Sequence, residues 1–444
     1  MRYIPWFLIV PGLMVNSSCD RAKQGKTPLM QVQTTEEKVS SMPFIKMSRD
    51  SLYDKVLGTL VGSAVGDAMG APTEMWARNN IRVEYGFVDS LDNMIRDPSP
   101  EGTWKYNLPA GGTTDDTRWK VILGEYILGN ISHFYSAGNA DPVSFAQFIV
   151  DQYNTETEAL KLTESFEPAP FEDKMRRMAW LQEWAVVAKP FAEQDLIGYH
   201  DALHKFYGGE MVCAGILYSP VIGILYPGAP ELAYSSGYKL AIFDLGYARD
   251  VTALTSALVA AALPFDSSPD KMLSVLREID PQQYFRSRLV GRSTYRIYRD
   301  AIYIVEAAKN VKRQDMPSVS LPAGMQDTLY YAQIMKAYEL LDLKSQDFPF
   351  HAGEIHLINL TALIFSDFDF RKALAFITNY GRDNDTVGAV TGAILGAYYG
   401  YNKIPDDLKI PVVKVAVEHL GMDLMQLADQ LTDQIIANGA VAER

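Results

Sequence analysis

Cysteine and histidine are scarce in this 444-residue sequence, which contains only two cysteines and six histidines. Cys213 lies in an apolar stretch without a neighbouring histidine, so we expect a buried structural thiol rather than a nucleophile. His200 and His204 are spaced for one helix face, but the segment lacks the glutamate of a zinc-protease motif, and we expect a solvated or packed pair. This scarcity argues against thiol chemistry and against a zinc or copper site.

Positive charge is also in short supply, since 41 lysines and arginines stand against 54 acidic residues and give a net charge of −13. Binding of duplex nucleic acid requires a basic surface, so we expect no nucleic-acid partner. Arg292, Arg296 and Arg299 share one predicted helix face. They would suit a pyrophosphate, but a solvated helix face is the favoured interpretation.

Long hydrophobic runs are absent beyond the N-terminal segment, although 48% of the residues are hydrophobic. Two segments instead carry glycine at every fourth position: Gly58, Gly62, Gly66 and Gly70, and then Gly388, Gly392, Gly396 and Gly400. A membrane helix dimer would use this spacing, but the first segment contains Asp67, and the second has about 15 apolar residues where a span needs about 20. We expect buried helices that cross closely, because glycine in a helix costs about 1 kcal/mol relative to alanine.

The first 19 residues have the features of a bacterial lipoprotein signal. A basic residue precedes an apolar run from Ile4 to Val15, and small residues lead directly to Cys19, before which we expect cleavage. Asn16 departs from the usual pattern, so a plain secretory signal and an uncleaved anchor stay open as alternatives. Residues 20–49 are rich in Lys, Gln, Thr, Ser and Glu, which predicts a tether. The expected location is extracytoplasmic, at the periplasm or cell surface, with a lipid on Cys19 as the sole membrane contact.

Two acidic clusters stand far apart in the sequence, TTDDT at 113–117 and DNDT at 383–386, and a predicted helix follows each at once. Each cluster concentrates carboxylates and a threonine hydroxyl in a few positions, a density that a folded chain tolerates when cations neutralise it. Helix capping is the simpler alternative, but a cap needs only one such residue. The all-oxygen donor set suits Mg²⁺ or Mn²⁺.

Three ordered motifs give the chain a family resemblance: GTLVGSAVGDAMGAPTE at 58–74, GGTTDDT at 111–117 and GRDNDTVGAVTGAILGAYYG at 381–400. Together they resemble the ADP-ribosylglycohydrolase family, which includes the dinitrogenase reductase activating glycohydrolase. The resemblance covers residues 50 to 425. It implies a compact all-α domain that holds two Mg²⁺ ions, with Mn²⁺ as the alternative, and that hydrolyses the bond from C1 of a ribose to a side chain or small acceptor.

The resemblance also implies roles for individual residues. The expected metal ligands are Thr114, Asp115, Asp116, Asp383, Asp385 and Thr386. Glu74 is the expected proton-transfer group, since it stands in a loop just past a helix, although a solvated glutamate is the simpler alternative. Asp67 and Asp116 complete the candidate catalytic set, with Asp67 expected to act by hydrogen bonding near the metals.

The central stretch 208–233 resembles the family's substrate-side loop, so Gly209, Glu210 and Met211 are expected to line the substrate cleft. Two residues depart from the family pattern. Arg382 replaces a common glycine and Asn384 a frequent threonine, so the rim of the metal loop is expected to differ.

Helical periodicity dominates the chain, and strand alternation is rare. The fold class expected is therefore all-α, a compact orthogonal multi-helix domain with a binuclear metal centre over residues 50–444. The segment of about 264–351 looks like an insertion packed on the same domain. Helices are predicted at 52–69, 116–128, 143–153, 174–188, 251–263, 295–309, 326–341, 371–379, 386–399 and 411–421.

Three functions are compatible with these features. The first is a metal-dependent hydrolase of ADP-ribosyl bonds, acting on modified protein or a small conjugate. The second applies the same machinery to another extracytoplasmic furanoside or glycan, as a glycosidase or nucleosidase, because an exported protein does not meet cytoplasmic modified protein. The third is a noncatalytic ligand-binding lipoprotein, which the complete set of candidate ligands and Glu74 disfavours. A monomer is expected.

Overall fold

The computed structural model describes residues 44–95, 107–136, 140–162, 168–313 and 320–442. The predicted signal segment 1–19 and most of the predicted tether lie outside these residues. In the described residues helices dominate and two short strands are present, which confirms the all-α fold class. None of the described helices is both long enough and apolar enough to pass through a membrane.

The structure describes α-helices along nearly the whole domain. Their bounds are α1 Arg49–Gly70, α2 Arg78–Glu84, α3 Asp115–Ser136, α4 Pro142–Lys161, α5 Pro168–Ala192, α6 Leu196–Leu203, α7 Ser219–Ile224, α8 Pro230–Leu240, α9 Ala248–Ala262, α10 Pro269–Glu278, α11 Ser293–Lys309, α12 Thr328–Asp342, α13 Ala352–Phe365, α14 Phe370–Tyr380, α15 Asn384–Tyr399, α16 Asp406–Leu420 and α17 Leu424–Ala437.

Helices α1 and α15 cross antiparallel through the centre of the domain, and their glycine ridges face each other. A Cβ atom added at Gly62 would collide with the carbonyl of Gly392, and one added at Gly66 with the carbonyl of Gly388. The backbones therefore touch directly, as the four-residue spacing predicts. This contact places the C-terminal end of α1 against the N-terminal end of α15. The two acidic segments, residues 113–117 and 383–386, lie beside these two ends.

The N-terminal boundary of the domain differs from the sequence prediction. Strand β1 Ile45–Lys46 pairs in parallel with β2 Val441–Ala442, and the Phe44 amide donates to the Ala440 carbonyl at 2.9 Å. Residues 44–49, which the sequence assigns to the tether, thus belong to the fold. The apolar side chain of Met47 is 1% exposed, which explains why this short stretch docks.

The segment 264–351, predicted as an insertion, contributes α10, α11 and α12. Helix α10 packs on α9 and α11, while α11 packs on α12 and α13. Arg292 precedes α11 and is buried, with its guanidinium donating to both carboxylate oxygens of Asp250 at 2.6 and 2.9 Å. Its charge is therefore used inside the fold, in contrast to the solvated face predicted for it, whereas Arg296 and Arg299 are exposed.

Candidate active site

Glu74 stands where α1 gives way to a short turn. Gly70, the last residue of α1, lies against the backbone of Asp385, so no side chain fits there. A 3₁₀ turn at Ala71–Thr73 follows, with a proline in its first turn, and Glu74, with φ of −53° and ψ of 135°, caps its end. The half-buried carboxylate is thereby presented beside the start of α15.

The loop after Glu74 is tied to the segment that precedes α15. The Met75 amide donates to the Arg382 carbonyl at 2.7 Å, and the Arg382 amide donates to the Trp76 carbonyl at 3.1 Å. Met75 and Arg382 both have positive φ angles, of 63° and 65°, which non-glycine residues rarely adopt. The paired backbones hold this strained arrangement and bring Glu74 to Asp383.

Arg382 supports the same segment from the other side. Its guanidinium donates to both carboxylate oxygens of Glu354, at 2.6 and 2.7 Å, and to the Gln346 carbonyl at 2.9 Å. Glu354 lies in the first turn of α13. Arg382, which stands where the resemblance leads one to expect glycine, therefore connects the acidic segment 383–386 to α13 through an ion pair with two hydrogen bonds.

Three carboxylates converge at this junction. Oxygen atoms of Glu74, Asp383 and Asp385 all lie within 4.8 Å of one another. Burial raises the pKa values of Asp383 and Asp385 well above their ordinary range, and the charge of Glu74 adds to both shifts. Such a cluster is costly unless a cation shares the space, and oxygen donors at this spacing suit a hard divalent ion.

The second acidic segment is held in place by Asp67, which is fully buried in α1. Its carboxylate accepts from the amide and hydroxyl of Thr114, both at 3.0 Å, and from the amide and hydroxyl of Thr117 at 3.0 and 2.5 Å. Burial raises the pKa of Asp67 to about 7, with the charge of Asp116 adding and the threonine hydrogen bonds opposing. Asp67 thus fixes the loop that carries the candidate ligands.

Asp116 connects the two segments. One carboxylate oxygen, Oδ2, accepts from the Thr386 hydroxyl at 2.9 Å. The other, Oδ1, is buried and makes no hydrogen bond. Asp115 lines the same cavity as Glu74 and Thr386. The structure therefore brings the two sequence clusters and Glu74 together around one space, while the ligand roles of the individual residues stay predictions.

Lys120 is a neighbour of this centre that no sequence motif indicates. The side chain is 2% exposed, its ammonium donates to the Asp116 carbonyl at 2.8 Å, and it lies 3.6 Å from Asp116 Oδ1. Burial lowers the pKa of Lys120, while the carboxylates of Asp116, Asp67 and Asp115 oppose that change. Spacing of i to i+4 on α3 is the only sequence signal for the pair.

Apolar and aromatic side chains form the remaining wall of the cavity: Met75, Trp184, Tyr207, Val212, Ala214, Leu217 and Phe350. The predicted substrate residues Gly209, Glu210 and Met211 are not among the side chains that line it, although Tyr207 and Val212 on either side are. Gly209 has a φ of 79° and Glu210 is exposed. The residues on either side of this loop, Tyr207 and Val212, thus line the cavity in place of the predicted residues 209–211. The amino-acid types in the loop do not indicate this arrangement.

Cys213 also reaches the cavity, where its thiol donates to Asp383 Oδ2 at 3.9 Å. Burial, and after it the charge of Asp383, raise the pKa of this thiol well above its usual value, so the protonated form is favoured. This agrees with the predicted structural thiol but places it closer to the acidic segment than the sequence suggests. His200 and His204 are exposed on and just after α6, and neither lines the cavity.

A sequence model of the ADP-ribosylglycohydrolase family matches residues 48–440, which is most of the chain. The chain belongs to the ADP-ribosylglycohydrolase family. That membership assigns it to a family of hydrolases that act on glycosidic bonds.

Several proteins are similar to this ADP-ribosylglycohydrolase family member. An uncharacterized protein of Archaeoglobus fulgidus is 26% identical over 350 residues, covering 78% of this chain and 88% of that protein. The ADP-ribosyl-[dinitrogen reductase] glycohydrolase of Rhodospirillum rubrum is 36% identical over 78 residues, 18% of this chain and 24% of that enzyme. A solved ADP-ribosylglycohydrolase-related protein complex has a TM-score of 0.49 at 18% identity, covering 87% of this chain and 99% of the other.

The family is typically metal-dependent, and the donor set of this chain fits divalent ions. All candidate ligand atoms are carboxylate or hydroxyl oxygens, which Mg²⁺ and Mn²⁺ prefer. The buried Oδ1 of Asp116 has no hydrogen-bond donor, an arrangement that metal coordination would satisfy.

Proposed function

We propose that this protein is a divalent-cation-dependent hydrolase that cleaves the bond between C1 of a ribose-type furanose and its acceptor. The proposed substrate is an ADP-ribosylated side chain or a small ADP-ribosyl conjugate. The observation that carries this proposal is the convergence of Glu74, Asp383 and Asp385 beside a cavity with aromatic walls. Family membership supports the hydrolytic class, and the resemblance supplies the substrate class.

Two Mg²⁺ ions, or Mn²⁺ in their place, are the proposed cofactors. Their proposed ligands are Thr114, Asp115, Asp116, Asp383, Asp385 and Thr386, and Glu74 lies near enough to Asp383 and Asp385 to join them. When bound, the ions supply Lewis-acid orientation of neighbouring hydroxyl groups on the furanose.

The chain's own groups account for the remaining chemistry. Glu74 is half-buried at the cavity, where its carboxylate can accept a proton from an attacking water or return one to the leaving group. Positive charge that develops on the furanose ring as the C1 bond breaks is favoured by the surrounding carboxylates. Trp184 and Phe350 limit the access of bulk water.

A turnover assay on the purified full-length protein tests this proposal. ADP-ribosyl peptides, ADP-ribose derivatives, nucleosides and aryl furanosides would each be incubated with and without Mg²⁺, and furanosides with blocked vicinal hydroxyls would serve as negative substrates. Glu74→Gln should lower the hydrolysis rate by about 10²-fold or more, because it keeps the shape of the side chain and removes its basicity. Glu84→Gln, on the exposed face of α2, is the matched control.

Two results would contradict the proposal. One is the absence of metal-dependent turnover on every substrate, which favours a ligand-binding protein. The other is full activity in Asp385→Asn and Asp116→Asn, which removes the metal assignment.

A second substrate class is supported by the N-terminal segment. The lipoprotein-like signal that ends at Cys19 supports an extracytoplasmic, lipid-anchored location, where small glycosides and nucleosides are the accessible substrates. Labelled fatty acid should incorporate into the wild-type chain and into Cys213→Ala, but not into Cys19→Ala. Equal labelling of all three, or of none, would contradict the proposed anchor.

The two proposed substrate classes, ADP-ribosyl compounds and other extracytoplasmic furanosides, are separated by the relative rates in the turnover assay. Preference for ADP-ribosyl substrates over nucleosides and other furanosides supports the first class, and the reverse preference supports the second.

A further inference from the structure

Lys120 occupies a position that is unfavourable for a cation in two respects. Its side chain is 2% exposed, so the ammonium has left water. It lies near the N-terminal end of α3, where the helix dipole disfavours positive charge. Its ammonium reaches back to the first turn of this helix, where it donates to the carbonyl of Asp116 at 2.8 Å. Burial lowers the pKa of Lys120, and the charges of Asp116, Asp67 and Asp115 act in the opposite direction and favour the ammonium form.

The acidic centre has two halves with different surroundings. In the half formed by Thr114, Asp115 and Asp116, the Lys120 ammonium lies 3.6 Å from Asp116 Oδ1. In the other half, neither Asp383 nor Asp385 forms an ion pair with a lysine or arginine among the described residues. The charges that act most strongly on Asp385 are instead those of other carboxylates, first Glu74 and then Asp383.

We infer that Lys120 is a built-in counter-charge for the Asp116 half, so that the two halves bind divalent ions with unequal affinity. The half formed by Glu74, Asp383 and Asp385 binds the first ion tightly. The Asp116 half, already partly neutralised, binds the second ion weakly. This inference rests on the proposed function, because it concerns the same pair of ions.

Electrostatics at this range favour a measurable difference. A unit charge a few ångströms from a carboxylate ligand, in surroundings of effective dielectric constant of about 20, changes the affinity of a divalent ion by more than about tenfold. Replacement of Lys120 by methionine keeps most of the length of the side chain and removes the charge. The weaker ion should therefore bind more tightly in this variant.

Titration of the metal-free full-length protein with Mn²⁺ alone, followed by calorimetry and by the electron paramagnetic resonance signal of unbound Mn²⁺, tests the inference. Wild type should show two binding events separated by at least about tenfold in affinity. Lys120→Met should tighten the weaker event by at least about tenfold and the tighter one by a smaller factor. Lys120→Gln, which keeps a donor for the Asp116 carbonyl, should give the same result where the methionine variant does not fold.

Lys55→Met is the matched control, because Lys55 is also buried, at 4% exposure, but its ammonium donates to the Tyr398 carbonyl on α15. This variant should leave both Mn²⁺ affinities unchanged. Two equal events in wild type, an unchanged weaker event in both uncharged Lys120 variants, or the same shift in Lys55→Met would overturn the role of Lys120 and leave the proposed function standing. Absence of any Mn²⁺ binding by wild type would overturn both.

Discussion

Asp67 illustrates how a buried carboxylate can position the residues of a candidate site. Both of its oxygens accept hydrogen bonds from Thr114 and Thr117, and these bonds fix the loop that begins α3. The sequence places Asp67 within a glycine-rich helix face, which predicts a paired charge but not its partners. The structure supports a positioning role, in which Asp67 orients the residues that precede and begin α3.

Asp67→Asn should therefore reduce stability as well as function. Asparagine offers one acceptor oxygen in place of two, and its amide nitrogen would face donors of the threonines. Hydrogen bonds to charged groups contribute about 1.5–3 kcal/mol each, and removal of the buried charge offsets part of their loss, so the free energy of unfolding should fall by about 1–3 kcal/mol. Urea unfolding monitored by circular dichroism measures the change. Asp201→Asn, at an exposed position on α6, should change stability by less than about 0.5 kcal/mol. Equal stability of both variants would contradict the anchoring role.

His356 should make stability sensitive to acid. It is 1% exposed, and neither ring nitrogen has a hydrogen-bond partner. Burial lowers its pKa from 6.5 to about 4 in the folded chain. The unfolded chain therefore takes up the proton first as the pH falls, and stability that is fully present above about pH 6.5 is lost progressively toward pH 4.

The test compares wild type with His356→Leu, which has no titrating group at this position. Between about pH 7.5 and pH 5, wild type should lose about 2 kcal/mol more unfolding free energy than the variant. Denaturant unfolding at the two pH values measures the difference. The exposed His200, changed to leucine, is the control and should retain the acid sensitivity of wild type. An identical pH response of wild type and His356→Leu would show that the imidazole does not titrate in this range.

The site residues that can be recognised from the sequence are the ones that differ from what is usual among their sequence neighbours. Asp115, Asp116, Asp383 and Asp385 stand out because like charges are crowded together. Lys120 does not, because a lysine on a helix is ordinarily solvated, and only the packing around α3 shows that it is buried. Trp184 likewise reaches the cavity from a distant helix, and no local pattern indicates that contact.

The crossing of α1 and α15 can be predicted from sequence because close approach leaves a direct trace, glycine at every fourth position. Gly62→Ala should lower the free energy of unfolding by about 3 kcal/mol or more, since the added methyl group meets the backbone of Gly392, which cannot move aside as a side chain can. Thermal or urea unfolding would measure this loss. Because the crossing fixes the ends of both helices, Mn²⁺ affinity should weaken as well.

Gly129→Ala provides the matched control for the helix crossing. Gly129 lies inside α3, and an added Cβ atom there would have no atom within 4 Å. Alanine has the higher helix propensity, so this variant should be stabilised by up to about 1 kcal/mol. Loss of stability in Gly129→Ala as large as that in Gly62→Ala would mean that glycine itself, rather than the crossing, sets the result.

Other helices are hard to predict from the sequence, because their position or their start depends on packing against other parts of the chain. Helix α13 is buried along nearly its whole length, so it has no polar face and no amphipathic period to predict it. Helix α16 begins at Asp406 rather than at Pro411, where the sequence predicts the start. Pro411 lies inside this helix, where it removes the hydrogen bond to the Asp407 carbonyl and its ring crowds that carbonyl, yet the helix continues through it.

For the domain as a whole, motif order predicts the family and the all-α class, whereas its boundary depends on long-range pairing. The β1–β2 contact joins residues 45–46 to residues 441–442, and neither stretch is long or apolar enough to predict a strand. The cavity is similarly non-local, since its walls come from α5, from residues 207–217, and from Phe350 just before α13. Such features follow from packing after the helices form.

Divalent ions should stabilise the entire domain, because Asp116, Asp383 and Asp385 come together only in the folded chain, so that the ions bind the folded chain and not the unfolded one. At an ion concentration of about 100 times the dissociation constant, the gain is about 2.7 kcal/mol, which corresponds to a rise of about 3 °C in Tm for a chain of this size. Differential scanning calorimetry of the full-length protein in EDTA and then in excess Mg²⁺ measures it. Asp385→Asn should lose most of this rise, whereas Asp201→Asn should keep it. A rise of the same size in both variants would indicate general ionic effects and would remove the acidic centre as the site of stabilisation.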